Sequence, residues 1–225
     1  ADIFRQHYTI YDNPMLSASF VENLEREYRG TVYFERFILG KWALAEGLIY
    51  PMFSEKRHIS HEIPQNGEYY ISVDYGTLNP CSMGLWCVKS GKAYRLREFY
   101  HDGRKLGRQM TDEEYYAELE KLVLDLPIEC IIVDPSAASF IETVRRHGRF
   151  SVKKARNDVV DGIRFTAGLL SENRIIIHPD CRSIIAEFTA YRWDEQAEID
   201  RPIKQNDHAM DDLRYFCYTI LKRIW

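Results

Sequence analysis

The residues of this 225-residue chain best suited to chemistry are aspartates at the ends of apolar runs. Residues 69–77, YYISVDYGT, form a β-rich run that carries Asp74 near its end and then meets Gly76 in a turn, so a strand would hold that carboxylate rigidly. Residues 128–133 are a continuous apolar run of the kind buried on both faces, ended by Asp134-Pro135-Ser136. Residues 206–215, NDHAMDDLRY, put His208, Asp211 and Asp212 within about one turn at the start of an apolar-striped helix. Taken singly, each acid has an ordinary structural use: satisfying a turn at Asp74, capping the turn before Pro135 at Asp134, or lying on a solvated helix face at Asp211 or Asp212. Taken as a set, they are the oxygen donors that hard divalent cations require, and without a cation they would raise one another's pKa. Two such ions about 4 Å apart hold both the attacking water and the leaving oxygen of a phosphodiester. With about 100° per residue, Asp211 and Asp212 both fall off the apolar stripe, so periodicity leaves open which of them is used. His208 stays open between a positioning partner, a proton shuttle, a ligand and a plain surface histidine.

The elements that must bring these acids together follow from pattern. Residues 69–75, 81–88 and 92–100 read as an antiparallel meander, with Asn79-Pro80 and Ser90-Gly91 as turns. Residues 101–110 read as a polar loop, and Thr111 starts a helix with Tyr115, Leu119, Leu122 and Val123 on one face. After Pro127, strand 128–133, helix 138–147, a short strand around Val152, helix 161–170, strand 174–178 and helix 183–191 alternate, which predicts parallel strands. Residues 193–203 read as a hairpin or loop, and a closing helix from Asp207 carries Leu213, Phe216, Cys217, Ile220, Leu221 and Ile224 as its stripe. This order describes an α/β, ribonuclease H-like mixed sheet flanked by helices. Its first and fourth strands are expected as central neighbours, with the closing helix beside them. Residues 1–66 differ in texture: an amphipathic helix over 19–28 capped at Ser19, a second helical pattern over 33–45, and an apolar run broken by Gly47 and Pro51. They are expected to form an N-terminal arm or connector, with the main domain over 67–225.

Composition sets bounds. Hydrophobic residues make up 45%, which supports a globular chain, and a net charge of −4 with pI near 6.0 means that any nucleic-acid surface is local. Cys81, Cys87, Cys130, Cys181 and Cys217 are odd in number and lack a CxxC pair, which predicts reduced thiols in a cytoplasmic protein. No apolar run approaches the roughly 20 residues of a membrane span, and no signal-peptide pattern opens the chain. The absence of GxxxxGK[ST] and GxGxxG argues against an ATP or dinucleotide site in this chain. The densest basic run comprises Arg145, Arg146, Arg149, Lys153, Lys154 and Arg156. A second group, Arg104, Lys105 and Arg108, is bracketed by glycines, which predicts a mobile loop facing nucleic acid. Phosphate contacts from such groups are salt-sensitive and carry little sequence preference; the alternative for either group is a solvated basic face.

On these residues the chain resembles the large terminase subunit of tailed bacteriophages, in its C-terminal nuclease domain. The matching stretches are VDYG at 73–76, GR-x-x-GRQ-x-T-D-x-E-Y at 103–115, IIVDPSA at 131–137, NDVVDGI at 157–163 and NDHAMDDLRY at 206–215. Residues 35–53, ERFILGKWALAEGLIYPMF, resemble the connector to the packaging ATPase, which is itself absent. The resemblance implies a metal-dependent endonuclease cutting concatemeric double-stranded viral DNA in the cytoplasm of the infected bacterial host. It also implies Mg²⁺ or Mn²⁺, two ions, as cofactor, with the ATPase domain, the small terminase subunit and the portal protein as partners. Its acidic positions fall on Asp74, Asp134 and Asp211, with His208 beside them; Asp212 stands where a small residue such as alanine is expected. A catalytically weak DNA-binding or motor-docking module and a junction resolvase of the same fold are the alternatives.

Overall fold

Helix α1 (Ala18–Tyr28) is capped by Ser17, whose hydroxyl accepts from Phe20 N at 3.3 Å, two residues before the cap expected at Ser19. The computed structural model describes residues 6–225; the first five residues of the expected arm lie outside the described residues. The helical pattern over 33–45 is realised only as a π-helical turn, Phe34–Ile38. Tertiary bonds take the backbone groups that a longer helix would use: Arg36 Nε donates to Ala43 O at 2.6 Å, and Ala45 N donates to Asp200 Oδ1 at 3.3 Å. Residues 45–60, including the short α2 (Glu55–His58), are built into the main core. Ile49 N donates to Tyr191 O at 3.0 Å, His58 Nε2 lies 2.9 Å from Leu170 O, and Ile59 bridges Ile177.

The meander follows as β1 (Glu68–Asp74), β2 (Cys81–Lys89) and β3 (Lys92–His101). Where a loop was expected, α3 (Gly103–Leu106) forms, because Asp102 Oδ1 accepts from Lys105 N at 2.9 Å and caps it. Next come α4 (Asp112–Val123), closed at its start by the Thr111/Glu114 capping box, and β4 (Ile128–Val133). Only the second half of β4 is buried on both faces. The chain continues through α5 (Ala138–His147), β5 (Val152–Lys154), α6 (Val159–Ser171), β6 (Ile175–Ile177), α7 (Arg182–Ala190) and α8 (His208–Phe216). The last helix runs on through a π-helical stretch, Cys217–Leu221. The five cysteines are free thiols.

The sheet order is β5-β4-β1-β2-β3-β6. Only β2 is antiparallel to its neighbours; β1 with β4, β4 with β5, and β3 with β6 pair in parallel. This is the mixed sheet that the order of patterns predicted. Alternation along each strand divides the core. Tyr69, Ile71 and Val73 pack toward α4 and α5, while Tyr70, Ser72 and Asp74 point to the face that α8 covers.

Candidate active-site cleft

Asp74 ends β1, and Asp134 follows the last residue of β4; with Val73 paired to Val133, the two backbones run side by side, about 5 Å apart. Both acids share the parity of Tyr70 and Ile132, so both side chains face α8. One turn of α8 matches two residues of β1. His208 and Asp212 are four residues apart, about 6 Å of helix rise, and Asp74 and Ser72 are two apart, nearly 7 Å of strand. Nδ1 of His208 accordingly donates to Asp74 Oδ2 at 2.9 Å, while Ser72 Oγ donates to Asp212 Oδ1 at 2.9 Å.

The first turn of α8 and the ends of β1 and β4 line a cleft of about 680 Å³, with Asp74, Asp134, Asp207, His208, Asp211, Lys204, Asn157, Arg214 and Tyr215 among its walls. The cleft lies beyond the carboxyl ends of parallel strands, where open α/β sheets bind their ligands. Burial pushes the Asp74 carboxyl up to about 6, against the lowering effect of its bond to His208. Burial pulls His208 down, but the hydrogen bond and charge of Asp74 outweigh it and hold the imidazole above its ordinary value. Asp134 has two partners: Ser136 N donates to Oδ1 at 2.7 Å, making the turn before the helix, and Tyr215 Oη donates to Oδ2 at 2.8 Å. Asp211 Oδ1 accepts from Arg214 Nη2 at 2.9 Å, and Lys204 Nζ lies 3.4 Å from Oδ2.

Asp211 and Asp212, equivalent by periodicity, have different surroundings: Asp211 lines the cleft, and Asp212 meets a buried arginine. Arg95 of β3 lies under the sheet face and forms an ion pair with both oxygens of Asp212, which also accepts from Ser72 and Ser82. Asp212 is 0% exposed and is not among the cleft's lining residues. Gly84 of β2 makes this possible, because a Cβ there would sit 2.7 Å from the guanidinium carbon of Arg95. Gly162 of α6 does the same for Arg214: a Cβ there would lie 2.7 Å from its Cγ, and Asn157 Oδ1 accepts from its Nη1 at 3.2 Å. The NDVVDGI stretch thus threads one arginine to Asp211, just as β2 and β3 thread another to Asp212. The 103–115 stretch shapes the cleft's lip, with Tyr115 Oη donating to Gly76 O at 2.9 Å and Tyr75 Oη to Asp112.

The basic groups divide. Arg104 Nη2 reaches Asn79 Oδ1, on the cleft's rim, at 3.4 Å; Lys105 is exposed beside it, and Arg108 is paired to Glu114. The end of this segment is tied to β3, where His101 Nε2 lies 2.8 Å from Arg108 O. Lys153 and Lys154 pair with Ile132 and Val133, so Lys154 shares the α4 and α5 face with Val133 and is not turned to the cleft, while Arg156, just before the cleft-lining Asn157, holds its guanidinium over Tyr218 at 5.7 Å. Arg145, Arg146 and Arg149 are not brought to the cleft. Helix α5 carries Arg145 and Arg146 about 10–12 Å from its start; there Arg146 pairs with Glu142, while Arg149 joins Glu120 and donates to Leu124 O at 2.6 Å. Lys204, Asp207, Arg214 and Tyr215 were not singled out from sequence, although the last three lie within or beside NDHAMDDLRY. Glu187 and Arg95 were also missed; each left the same trace, a charged residue at an inward-facing position, Glu187 between Ile184 and Phe188 and Arg95 in line with Ala93.

No family model matches the chain. It is 23% identical over 229 residues to the terminase large subunit of Escherichia phage T5, covering 95% of this chain and 51% of that protein. A large terminase from a thermophilic bacteriophage, solved in more than one crystal form, superposes with a TM-score of 0.89 at 45% identity, over 95% of this chain and 54% of its own. The large-terminase nuclease of thermophilic phage G20c, solved with bound magnesium, shares the fold at a TM-score of 0.59 and 14% identity, over 79% of this chain and 98% of its own. The chain spans about half the length of the full-length relatives it matches. With a ribonuclease H-like sheet, an acidic cleft at its carboxyl edge and these relatives, the chain is a terminase large-subunit nuclease-like domain.

Proposed function

We propose that the domain is a metal-dependent endodeoxyribonuclease that cuts concatemeric double-stranded viral DNA with little sequence preference during packaging. The observation that carries this reading is the meeting of Asp74, Asp134 and Asp211, from three distant parts of the chain, at one cleft. Their hard oxygen donors suit Mg²⁺ or Mn²⁺, and the bound magnesium of the G20c nuclease supports a divalent ion here. Two such ions, when bound, supply an activated water and neutralise charge on the leaving 3′ oxygen. Asp74, partly buried and raised toward neutrality, is the carboxylate that gains most from a cation, and His208 fixes its orientation. Tyr215 orients Asp134, while Arg214 and Lys204 hold Asp211. Asp212 is left out of the ligand set by its ion pair with Arg95. Arg156 and Arg104 take the DNA backbone near the cleft. The N-terminal region, whose residues 45–60 pack into the main core, serves as the connector toward a packaging ATPase, with the small subunit and portal as further partners, in the cytoplasm of the infected host.

Supercoiled plasmid titrated with Mg²⁺ or Mn²⁺ tests the reading. The domain nicks only with a divalent ion, and Asp74→Asn lowers nicking by at least about 100-fold with the fold intact. Undiminished nicking by that variant in Mn²⁺ would sink the assignment. A second reading has its own support. Asp211 already carries two cationic partners, and among the described residues no three His, Cys, Asp or Glu side chains form a ready metal-holding group. A domain that binds DNA without metal and cuts weakly until a partner aligns the duplex would show metal-independent binding with little cleavage.

A further inference from the structure

The first turn of α8 carries the cleft's histidine and one of its acids, yet its own N-cap residue does not cap it. Asp207 occupies that position with φ −119° and ψ −4°, in the helical region rather than the extended one, and its side chain makes no capping hydrogen bond. Its carboxylate is turned into the cleft instead. Oδ2 lies 3.3 Å from Lys204 Nζ, and Oδ1 lies 3.8 Å from His208 Nε2, on the opposite side of the ring from Asp74. The free amides at the start of the helix are satisfied from another element. Glu187 of α7 accepts from Ala209 N at 2.7 Å and Met210 N at 3.1 Å through Oε2, and Tyr100 Oη of β3 donates to its Oε1 at 2.8 Å. Glu187 is 5% exposed and Asp207 4%, so neither carboxylate is an incidental surface group.

We propose that Glu187 is a positioning residue: it caps α8 from a neighbouring helix, and so frees Asp207 to act in the cleft, where it holds Lys204 and sets a second negative charge beside His208. An aspartate at the N-cap normally spends its side chain on the N2 or N3 amide. Here both amides are taken by Glu187, and the aspartate stays available to hold Lys204 and flank the imidazole. The inference deepens the nuclease reading above and rests on it for the consequence in the cleft, but the capping exchange stands on geometry alone.

Amide hydrogen exchange of the metal-free protein and Mn²⁺-dependent plasmid nicking, measured on Asp207→Asn, Glu187→Gln and Glu187→Ala, test it together. Glu187→Ala loses protection at Ala209 and Met210 and raises the Mn²⁺ concentration for half-maximal nicking about tenfold or more. Glu187→Gln, which keeps an acceptor oxygen, recovers most of that protection and most of the metal response. Asp207→Asn keeps the protection and the melting temperature of wild type while nicking at saturating Mn²⁺ falls about tenfold or more. Loss of Ala209 and Met210 protection in Asp207→Asn, with Glu187→Ala unaffected, overturns the proposal, as does Asp207→Asn nicking at the wild-type rate. Should Glu187→Ala not fold, Glu187→Gln and Asp207→Asn decide the question between them. A wild-type domain that fails to nick in Mn²⁺ defeats the nuclease reading, and with it the role of Asp207 in the cleft, while exchange still decides which residue caps α8.

Discussion

Asp74 and Asp212 lie on the same side of the sheet, one partly exposed at the cleft and the other fully enclosed, and they differ in what surrounds them. Asp212 has a full set of partners in Arg95, Ser72 and Ser82, so it is a structural anion. Asp74 has one, His208, and burial raises it from 3.8 to about 6. The ionised form is therefore unfavourable in the metal-free fold: the folded carboxyl holds its proton to higher pH than the unfolded one, and stability falls as pH rises between those values. Asp74→Asn should raise the stability of the metal-free protein at pH 7.5 by up to about 3 kcal/mol in urea unfolding, and, on the proposed metal site, wild type should gain further stability from Mn²⁺ and the variant should not. A variant that melts below wild type in EDTA contradicts this account of Asp74. Breaking the other pair acts in the opposite sense. Arg95→Met strands Asp212 in the core and costs about 3–5 kcal/mol, and adding Asp212→Leu recovers most of it. If the double variant is no more stable than Arg95→Met, the ion pair is not the reason Arg95 is there.

At the scale of elements, α8 joins both halves of the site, and its start is held by Glu187. Burial lifts that carboxyl from 4.5 to about 7, against the bonds from Tyr100 and the two amides. Its folded value lies above its unfolded one, so its contribution to stability is intact below about pH 4.5 and is lost as pH rises toward 7, by roughly 3 kcal/mol at most. Urea titrations of wild type and Glu187→Gln at pH 5 and 7.5 should therefore diverge, with the variant gaining on wild type at the higher pH; parallel curves would contradict it. These relations also mark how far sequence reaches. Strand alternation and the turn residues at Asn79-Pro80 and Ser90-Gly91 were enough for the meander, and the alternation of strand and helix for the parallel half. That Asp74 and Asp134 lie at strand ends was legible because each ends an apolar run. The different surroundings of Asp211 and Asp212 were not, because they depend on Arg95 crossing beneath Gly84 from a strand more than 100 residues earlier. The segment over 33–45 misled for a related reason: its backbone groups are claimed by Arg36 and Asp200, one of them distant in sequence.

Across the whole molecule, the basic groups lie in more than one place. A net charge of −4 gives no general attraction for nucleic acid, so on the proposed reading the duplex is drawn by local groups at the cleft's rim. Replacing Arg104 and Arg156 by alanine should weaken binding of linear duplex and reduce the slope of log affinity against log salt by about 2. The same change at Arg145, Arg146 and Arg149, at the far end of α5 and largely ion-paired, should leave both nearly unchanged in fluorescence anisotropy. Equal effects from the two sets would mean that the duplex wraps the sheet rather than crossing its carboxyl edge. The match of one turn of α8 to two residues of β1 carries a consequence of its own for how such a domain can diverge. Inserting one residue in β1 between Ser72 and Asp74 would turn the carboxylate to the α4 and α5 side, and inserting one in α8 between His208 and Asp212 would rotate one of them by about 100° off the strand. Side chains elsewhere can be exchanged and loops lengthened, but the count of residues along these two short stretches is fixed.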